Sequence, residues 1–267
     1  MSNQGYEEIR LVTWNINGWR SATRKGLPKW AESERPDIWC IQELRLSVQQ
    51  VVDLNPAVPG YTAYFLGSNH PGYSGTAILS RVPFDRVGAT GMTELDIEGR
   101  TLVAEFAHFI VINAYVPNGN RSNTRLEFKH RYLAALRQYV EALSRNGKCV
   151  FICGDFNTAH THLDLAQPPT RVKHRSGFLP SERVLMDNFT QDGWQDAFRV
   201  LHPDENASFT WWAAHASAYE RNMGWRFDYI FVPDEMAGDL CEARMSSQVR
   251  VSDHCPFSIS FRSTHRG

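Results

Sequence analysis

The sequence predicts an α/β protein in which β-sheets pack on each other and helices cover them on the outside. Three observations support this prediction. Short apolar runs rich in β-branched residues recur along the whole chain, and only a few segments with helical spacing separate them. This pattern is typical of packed sheets. No linker, low-complexity stretch or fixed repeat interrupts it. One domain is therefore expected over residues 8–262, with short tails at 1–7 and 263–267.

Each element is predicted from its own residues. Apolar runs of strand type span residues 9–16, 37–41, 61–66, 76–79, 101–106, 109–116, 150–153, 229–232 and 257–261. The clearest helix is predicted over residues 124–144, where apolar side chains recur every three or four residues and Gly147 follows as a C-terminal signal. A second helix is predicted over residues 182–192.

Composition and cysteine usage bear on the compartment. The chain has 267 residues, of which 42% are hydrophobic and 21% charged, as in ordinary globular proteins. No window approaches the ~18 consecutive apolar residues of a membrane helix, and the polar first ten residues do not resemble a signal peptide. The five cysteines are odd in number, form no C-x-x-C pair and mostly lie in apolar runs. We therefore expect a cytoplasmic protein with free thiols and no membrane partner.

Charge is close to balanced overall and uneven locally. The formal net charge of -1 differs from the basic surface of a non-specific nucleic-acid binder. Basic clusters are usually solvated surface, and they acquire functional weight only if the chemistry elsewhere requires a phosphate partner. The clustered residues are Arg20, Arg24 and Lys25; Arg121, Arg125, Lys129 and Arg131; and Arg171, Lys173 and Arg175.

Polar residues stand at the ends of many predicted strands, where a rigid scaffold often carries catalytic groups. Glu43 and Asp253 are hard oxygen ligands, and Asn15 or Asn17 could assist them. Such a set suits Mg²⁺, which prefers one or two carboxylates together with waters and phosphate oxygens. Structural zinc is not expected, because the chain has no Cys/His cage and no H-E-x-x-H motif.

Three further residues complete a plausible hydrolytic set. Asp155 offers a base or a water-orienting group, and His254 could donate to a phosphate oxygen if Asp228 fixed its tautomer. Any one of these segments alone could be a turn or a helix N-cap. Together they form a set suited to hydrolysing a phosphodiester, because a metal, an oriented water and donors to an oxyanion are all provided for.

The ordered segments resemble the exonuclease III family of abasic-site (AP) endonucleases, within the endonuclease/exonuclease/phosphatase superfamily. The resemblance extends from residue 9 to residue 261. The Gly-Trp-Arg-Phe-Asp-Tyr stretch ending at Tyr229 is the most specific to abasic-site nucleases. The remaining stretches cover residues 14–20, 42–43, 72–75, 113–119, 153–160, 177–180, 222–223 and 252–256.

This resemblance implies a fold and an activity. The fold is a four-layer sandwich of the DNase I-like type, with two face-to-face sheets flanked by helices. The activity is that of a Mg²⁺-dependent DNA-repair phosphodiesterase, with Mn²⁺ as a possible substitute. It would incise duplex DNA 5′ to abasic sites and leave a 3′-hydroxyl, with a 3′–5′ exonuclease or 3′-phosphatase side activity. The implied partner is duplex DNA with abasic sites or 3′ lesions, and a monomer is expected.

The resemblance also implies roles for individual residues around the metal and the attacking water. Glu43 would bind the metal, with Asn15 in or next to its shell and Asp253 close by. Asp155 would orient or deprotonate the attacking water, and Asn157 would help to hold it.

A second group of residues is implied to contact the phosphate. Tyr115, Asn118 and His254 would contact the scissile phosphate itself, and Asp228 would orient His254. Arg121 is expected to bind the DNA substrate.

A third group consists of aromatic residues. Trp211, Trp225 and Phe227 would line a pocket for a flipped-out abasic sugar, whereas the adjacent Trp212 is expected in the core.

Several departures from the family pattern bear on specificity. Asn17 stands where some members carry Asp, so the metal shell would hold one charge fewer, and Arg45 stands where Lys is common. The segment 167–176 resembles a family-variable loop of the kind that sets preferences among abasic, exonuclease and damaged-base incision. Since there is no long N-terminal extension, no redox or regulatory segment is expected.

Two alternatives from other classes remain open. Related enzymes cleave inositol phosphates or sphingomyelin with the same metal set, but the Gly224 to Tyr229 stretch argues against them. Other relatives have lost their catalytic residues and act as RNA-associated regulators, whereas this chain retains the full set. His160 and His162 do not predict a separate metal site, because only His160 falls in a family stretch.

Overall fold

Two six-stranded β-sheets face each other in the computed structural model, which describes residues 7–120, 122–214 and 217–263. The strands in chain order are β1 (Glu7–Asn15), β2 (Ile38–Gln42), β3 (Thr62–Leu66), β4 (Thr76–Ser80), β5 (Arg86–Gly88), β6 (Thr101–Glu105), β7 (Phe109–Tyr115), β8 (Cys149–Asp155), β9 (Trp194–Asp196), β10 (Trp211–Trp212), β11 (Gly224–Trp225), β12 (Asp228–Pro233), β13 (Leu240–Met245) and β14 (Phe257–Ser263).

Helices connect these strands and cover the sheets. The α-helices in chain order are α1 (Trp19–Arg24), α2 (Leu27–Glu34), α3 (Val48–Leu54), α4 (Thr93–Asp96), α5 (Asn123–Ser144), α6 (Pro169–Val172), α7 (Pro180–Gln191) and α8 (Ala197–Leu201). Short 3₁₀ turns lie at Ile97–Gly99, His162–Asp164 and Asp234–Asp239. Among the described residues, no helix is both long and apolar enough to cross a membrane.

The two sheets share one topology. The first has the order β13-β14-β1-β2-β4-β3 and the second the order β5-β6-β7-β8-β12-β9. In each sheet a central pair is parallel, β1 with β2 and β7 with β8, and the outer strands run antiparallel. The carboxyl ends of both parallel pairs and the amino ends of their antiparallel neighbours therefore meet at one edge of the sandwich.

Apolar layers hold the sandwich together. One cluster fills the space between the sheets and includes Leu11 and Cys40 from the first sheet and Val111 and Phe151 from the second. A second cluster packs α5 and α7 on the outer face of the second sheet, and a third packs α1 and α2 on the first. Strand β8 is buried on both faces, which explains its continuous apolar run. This arrangement confirms the predicted four-layer sandwich.

A polar clamp joins the sheets just beneath the edge where the strands end. The Gln42 side-chain amide donates to Asn113 Oδ1 at 2.7 Å. The Asn113 amide in turn donates to the backbone carbonyls of Ile41 and Ala77, at 3.0 and 2.8 Å. These four residues are fully buried. Because a buried amide must satisfy its hydrogen bonds, the clamp fixes how the two sheets are aligned at this edge.

Candidate active site

The strand ends open into a cavity of about 620 Å³. Tyr115 ends β7 and faces Asp155 at the end of β8, while Asp228 begins β12 and pairs with Asp155 from the other side. Three polar side chains therefore converge from neighbouring strands of one sheet. Asn15 and Glu43 reach the same cavity from the ends of β1 and β2 in the other sheet.

The Glu43 carboxylate is held from several directions. Its Oε2 accepts hydrogen bonds from Asn15 Nδ2 at 3.0 Å and from the Tyr115 hydroxyl at 2.8 Å. Its Oε1 pairs with the Arg45 guanidinium, whose Nη2 lies 2.6 Å away. Burial, with Glu43 adding to it, raises the pKa of Tyr115 well above its usual value, so the hydroxyl remains a donor. Glu43 thus presents an oriented carboxylate whose solvent side is paired with the exposed Arg45 guanidinium.

Asn15 links the two sheets rather than presenting its oxygen to the cavity. Its Nδ2 donates both to Glu43 and to Asp155 Oδ2, the latter at 2.9 Å. Its Oδ1 accepts the backbone N–H of Asn17 at 3.0 Å. Since that oxygen is already used within the turn, the geometry favours a place for Asn15 beside a metal ligand, not as one. This narrows the sequence prediction, which allowed both positions.

Asp155 and Asn157 form a closed turn after β8. The Asn157 backbone N–H donates to Asp155 Oδ1 at 2.8 Å, and Asn118 Nδ2 donates to Asn157 Oδ1 at 2.9 Å. The Asn157 Nδ2 donates to the backbone carbonyl of Val116 at 3.0 Å. Burial, reinforced by Asp228 and opposed by His254, raises the pKa of Asp155 to about 7. The carboxylate is therefore both oriented and basic.

Asp228 and His254 form the innermost pair. His254 Nδ1 lies 2.8 Å from Asp228 Oδ2, and His254 Nε2 lies 3.9 Å from Asp155 Oδ2. Burial opposes the imidazolium, but Asp228 and Asp155 outweigh it and raise the pKa of His254 to about 10. The backbone oxygen of His254 accepts from Trp14 Nε1 at 3.0 Å, which ties this segment to β1.

Asp253 lies on the other side of the cavity. Asn17 Nδ2 donates to its Oδ1 at 2.7 Å, and Trp211 Nε1 donates to its Oδ2 at 3.1 Å. Burial alone would raise its pKa, but His254 and these two donors lower it. Asp253 is therefore ionised and available as an oxygen ligand at neutral pH.

Backbone strain gathers around the cavity. Asn17, Glu43, Arg45, Ser74 and Asn157 all line it, and all adopt left-handed backbone conformations, with φ between 46° and 60°. Non-glycine residues adopt such conformations at a cost of about 1–3 kcal/mol each, and they concentrate at functional sites. This strain is consistent with a backbone that is held so that the side chains of these five residues face the cavity.

Two different sets of residues could hold a metal ion. Asp155, Asp228 and His254 have ligand atoms that all lie within 4.8 Å of one another. However, these side chains bond to one another and are at most 6% exposed. Glu43 and Asp253 line the same cavity, are less buried and offer only carboxylate oxygens, which suit a hard cation. On the chemistry of its donors, the second set fits Mg²⁺ better.

Three aromatic side chains lie together beside these polar groups. Trp211 pairs with Trp225 across strands β10 and β11. The Phe227 ring stacks on Trp211 at 5.3 Å and lies 5.4 Å from Trp225. Trp225 and Phe227 are nearly buried, and all three line the cavity. The neighbouring Trp212 points away into a separate core cluster, as predicted.

The residue between two of these aromatics anchors them. Arg226 is fully buried, with Nε 2.8 Å from Asp164 Oδ1 and Nη2 2.6 Å from Asp196 Oδ2. Arg226 lies in the link between β11 and β12, so its buried ion pairs fix the backbone from which Trp225 and Phe227 face the cavity. Asp164 therefore serves as a partner of this anchor.

The structure brings together twelve of the thirteen predicted site residues, and Arg121 lies outside the described residues. It also brings to the cavity Arg100, which the sequence did not single out, and Arg175, which was predicted only as part of a basic cluster. Arg100 is 2% exposed, donates to the Tyr115 carbonyl at 2.9 Å and lies over the Tyr115 ring. Arg175 lines the cavity and lies 5.8 Å from the centre of the Trp225 ring. A basic residue in the variable loop was the only available signal for Arg175.

This fold, with carboxylate, amide and imidazole groups gathered at one edge of two facing sheets, defines a hydrolase. The chain belongs to the Endonuclease/Exonuclease/phosphatase family, whose model matches residues 12–254. It is 35% identical over 253 residues to the exodeoxyribonuclease of Bacillus subtilis (strain 168), covering 94% of this chain and 98% of that protein.

Solved structures support the same placement. The chain is similar to the AP endonuclease LMAP from Leishmania major, with a TM-score of 0.87 and 27% identity over 96% of this chain and 88% of that one. It is also similar to the 3′ phosphatase NExo from Neisseria, solved bound to a product DNA hairpin, with a TM-score of 0.83 and 27% identity over 95% and 99% of the two chains. The predicted family and fold are confirmed.

Proposed function

We propose that this enzyme hydrolyses the DNA backbone on the 5′ side of abasic sites and leaves a 3′-hydroxyl. One observation carries the proposal: a buried hydrolytic cluster and an aromatic pocket share a single cavity. The cluster supplies groups that can activate water and bind a phosphate, and it consists of Asp155, Asn157, Asp228, Asp253 and His254. Trp211, whose indole N–H bonds to Asp253, belongs to the pocket and touches the cluster. A flipped-out sugar in the pocket would bring its phosphate to the cluster.

The attacking water is assigned to Asp155. Its raised pKa makes it a competent base near neutral pH, since a catalytic base works best with a pKa near the working pH. Asn157 is fixed by Asn118 and by the Val116 carbonyl and would hold the water beside Asp155. In this proposal Asp155 takes the proton from the water as the water oxygen bonds to phosphorus. The bond between phosphorus and O3′ breaks, and the departing O3′ takes a proton from solvent to give the 3′-hydroxyl.

The metal is assigned to Glu43 and Asp253, with Asn15 orienting Glu43 from beside it. A bound Mg²⁺, or Mn²⁺ in its place, would neutralise charge on the phosphate under attack. Arg45 pairs with Glu43 and would have to turn away when the cation binds. Its side chain is 47% exposed, so this movement meets little steric resistance.

The phosphate is assigned to three donors. The Tyr115 hydroxyl and the protonated His254 imidazole can each donate to a phosphate oxygen, and Asn118 lines the same cavity. Asp228 holds the His254 Nδ1 proton, which leaves Nε2 free to face the substrate. Preorganised donors of this kind stabilise the charge that develops on the oxygens in the transition state.

Selection of the lesion is assigned to Trp211, Trp225 and Phe227. An abasic sugar has no base to unstack, so flipping it outward costs less, by about a few kcal/mol, than flipping an intact nucleotide. A compact aromatic pocket could accept that sugar and exclude one that bears a base. We also propose a 3′–5′ exonuclease or 3′-phosphatase side activity, since similar solved structures are named for both.

The remaining assignments concern the state of the protein. We propose that it acts as a monomer on duplex DNA with abasic sites or 3′ lesions. An intracellular location is supported by its five cysteines, which are odd in number and form no C-x-x-C pair. The RNA-associated regulator remains the alternative, and the assembled cluster disfavours it because a scaffold has no need of oriented acid, base and amide groups.

The first prediction tests the activity and its metal. The purified protein is given Mg²⁺ and four matched duplexes, which carry an abasic analogue, a 3′-phosphate, a uracil or no lesion. It should cut the damaged strand on the 5′ side of the abasic analogue. Glu43→Gln should lower the turnover by about 10²–10³-fold, as expected when one preorganised electrostatic group is lost. Chelation should abolish cutting.

The matched control is Glu141→Gln on α5, where Glu141 is exposed and pairs with the exposed Arg145. This variant should cut like the wild type. Full activity of Glu43→Gln in Mg²⁺ would contradict the metal assignment, and release of phosphate from a soluble phosphomonoester without any cutting of DNA would contradict the substrate.

A further inference from the structure

A fully buried ion pair lies directly behind the cavity. Lys129 of α5 and Glu182 of α7 are both completely buried, and Lys129 Nζ lies 2.7 Å from Glu182 Oε1. The sequence grouped Lys129 with a surface basic cluster, which is wrong, because its charge faces inward. Neither residue lines the cavity, and the hydrolytic cluster described above does not include them.

Lys129 also binds the turn that contains Asn157, the residue proposed to hold the attacking water. Lys129 Nζ donates to the backbone carbonyl of Asn157 at 2.7 Å. Asn157 has a φ of 48°, a conformation that needs support from its surroundings. Its side chain bonds to Asn118 and to Asp155, so any rotation of this peptide would move both contacts.

Glu182 binds the opposite wall, which is the segment Ser176–Gly177. Glu182 accepts hydrogen bonds from Ser176 Oγ and from the Gly177 backbone N–H, both at 2.7 Å. Gly177 packs tightly on the aromatic pocket: a Cβ added there would lie 3.2 Å from the Phe227 ring and 3.4 Å from the Trp225 ring. The position of Glu182 therefore controls the position of this wall.

We propose that the Lys129–Glu182 pair is a positioning device that holds the Asn157 turn and the Ser176–Gly177 wall at a fixed separation. The inference rests on the proposed function and deepens it. It assigns two positioning residues that set the distance between the water-activating turn and the lesion pocket. A displacement of about 1 Å at a reacting centre can cost about 100-fold in rate, so such a device would act on turnover.

Packing of the two helices does not by itself account for the pair. Replacing a buried ion pair with apolar residues of similar volume is often neutral or stabilising, because both charges must otherwise be desolvated. A second pair, Arg137 with Asp192, already joins α5 to the end of α7 far from the cavity, with Nη2 2.6 Å from Oδ1. The buried pair is distinguished by its bonds to Asn157 and to Gly177.

The test compares four variants of the full chain: Lys129→Met, Glu182→Gln, the double variant and the control Arg137→Met. Each single change leaves a buried charge unpaired and should lower the melting temperature, whereas the double change removes both charges and should restore much of the loss. The Lys129 bond to Asn157 is still absent in the double variant. If Lys129→Met fails to fold, the double variant and Glu182→Gln carry the test.

The measurement is kcat and KM, corrected for the folded fraction, on whichever of the four matched duplexes the wild type cleaves best. We expect the double variant to lose about 10–100-fold in kcat with KM within about twofold, and Arg137→Met to keep wild-type kcat. A double variant with wild-type kcat per folded molecule would overturn the inference. So would losses that only follow the folded fraction in every variant.

The proposed function and this inference fail in different ways. If the wild type cleaves a 3′-phosphate or an undamaged end but never an abasic strand, the abasic assignment fails. The kcat comparison then still decides the role of the pair through its bond to Asn157. If the wild type incises abasic DNA and the double variant does so equally well, only the pair has been misassigned.

Discussion

At the scale of single residues, the site depends on how buried charges set one another's protonation. Asp228 and His254 are both nearly inaccessible to solvent, and Asp155 lies 3.9 Å from the imidazole. Each carboxylate favours the protonated imidazole, and Asp228 disfavours the ionised form of Asp155. Removing the charge of Asp228 should therefore lower the pKa of both His254 and Asp155.

The second prediction is the pH profile of Asp228→Asn. In the wild type, kcat should fall as the pH drops below about 7, where Asp155 binds a proton, and again as it rises toward about 10, where His254 loses one. The variant loses the charge that raises both pKa values. Both limbs should therefore move to lower pH, and kcat at neutral pH should fall far more than KM changes.

A control for this experiment lies outside the cavity. Asp187 pairs with His160 at 2.6 Å in a similar way, but neither residue lines the cavity. The pH profile of Asp187→Asn should match that of the wild type. If Asp228→Asn leaves both limbs in place and only weakens binding, Asp228 is a structural residue.

At the scale of elements, a two-stranded ribbon carries the pocket. Strands β10 and β11 pair Trp211 with Trp225, and the short ribbon is tied to the sandwich through the backbone of Asp253 and the buried Arg226. The ribbon presents one face to the cavity and the other to a separate core cluster containing Trp212. The two tryptophan environments allow a matched comparison.

The third prediction compares Trp225→Ala with Trp212→Ala. Both side chains are buried, at 6% and 3% exposure, so both truncations should destabilise the protein by about 3–5 kcal/mol. Only Trp225→Ala should lower the ratio of abasic incision to 3′-phosphatase or exonuclease activity, measured at a temperature where each variant is folded. Parallel losses in both activities would assign Trp225 to the core.

At the scale of the whole molecule, the charge distribution predicts that DNA is attracted by basic residues near the cavity and not by the surface as a whole. The net charge is -1, so binding must rely on cations near the cavity. Arg125 was one candidate, but both of its terminal nitrogens bond to Glu98, and much of its charge is compensated within the protein. Arg175 is exposed at the rim of the cavity and is the stronger candidate.

The fourth prediction concerns the dependence of DNA binding on salt. Replacing a residue that contacts a phosphate should reduce the log–log salt slope by about one and weaken binding to all sequences alike. Arg175→Gln should show this change in a titration of binding against salt. Arg145→Gln, at the far end of α5, should not. An unchanged slope for Arg175→Gln would place it away from the DNA.

Local patterns in the sequence were sufficient for the long buried strands and for choosing the candidate site residues. The nine predicted strands agree with the structure to within about two residues, because buried strands form continuous apolar runs that need no partner to be recognised. Strand β13 was missed because its side chains are mostly exposed, and α3 because it buries none. Where strand ends carry Asn, Asp, Glu or His, the chemistry could be anticipated as well.

Tertiary structure alone decided how those residues are arranged. An apolar run indicates burial but not which strand it pairs with, so the meeting of both parallel pairs at one edge appears only in the folded chain. Lys129 illustrates the limit: its sequence neighbours are basic, yet packing of α7 on α5 buries it against Glu182. The sequence by itself determined which chemical groups are available, because each is set by a residue's identity. The fold determined their contacts, charges and pKa values, because these depend on neighbours distant along the chain.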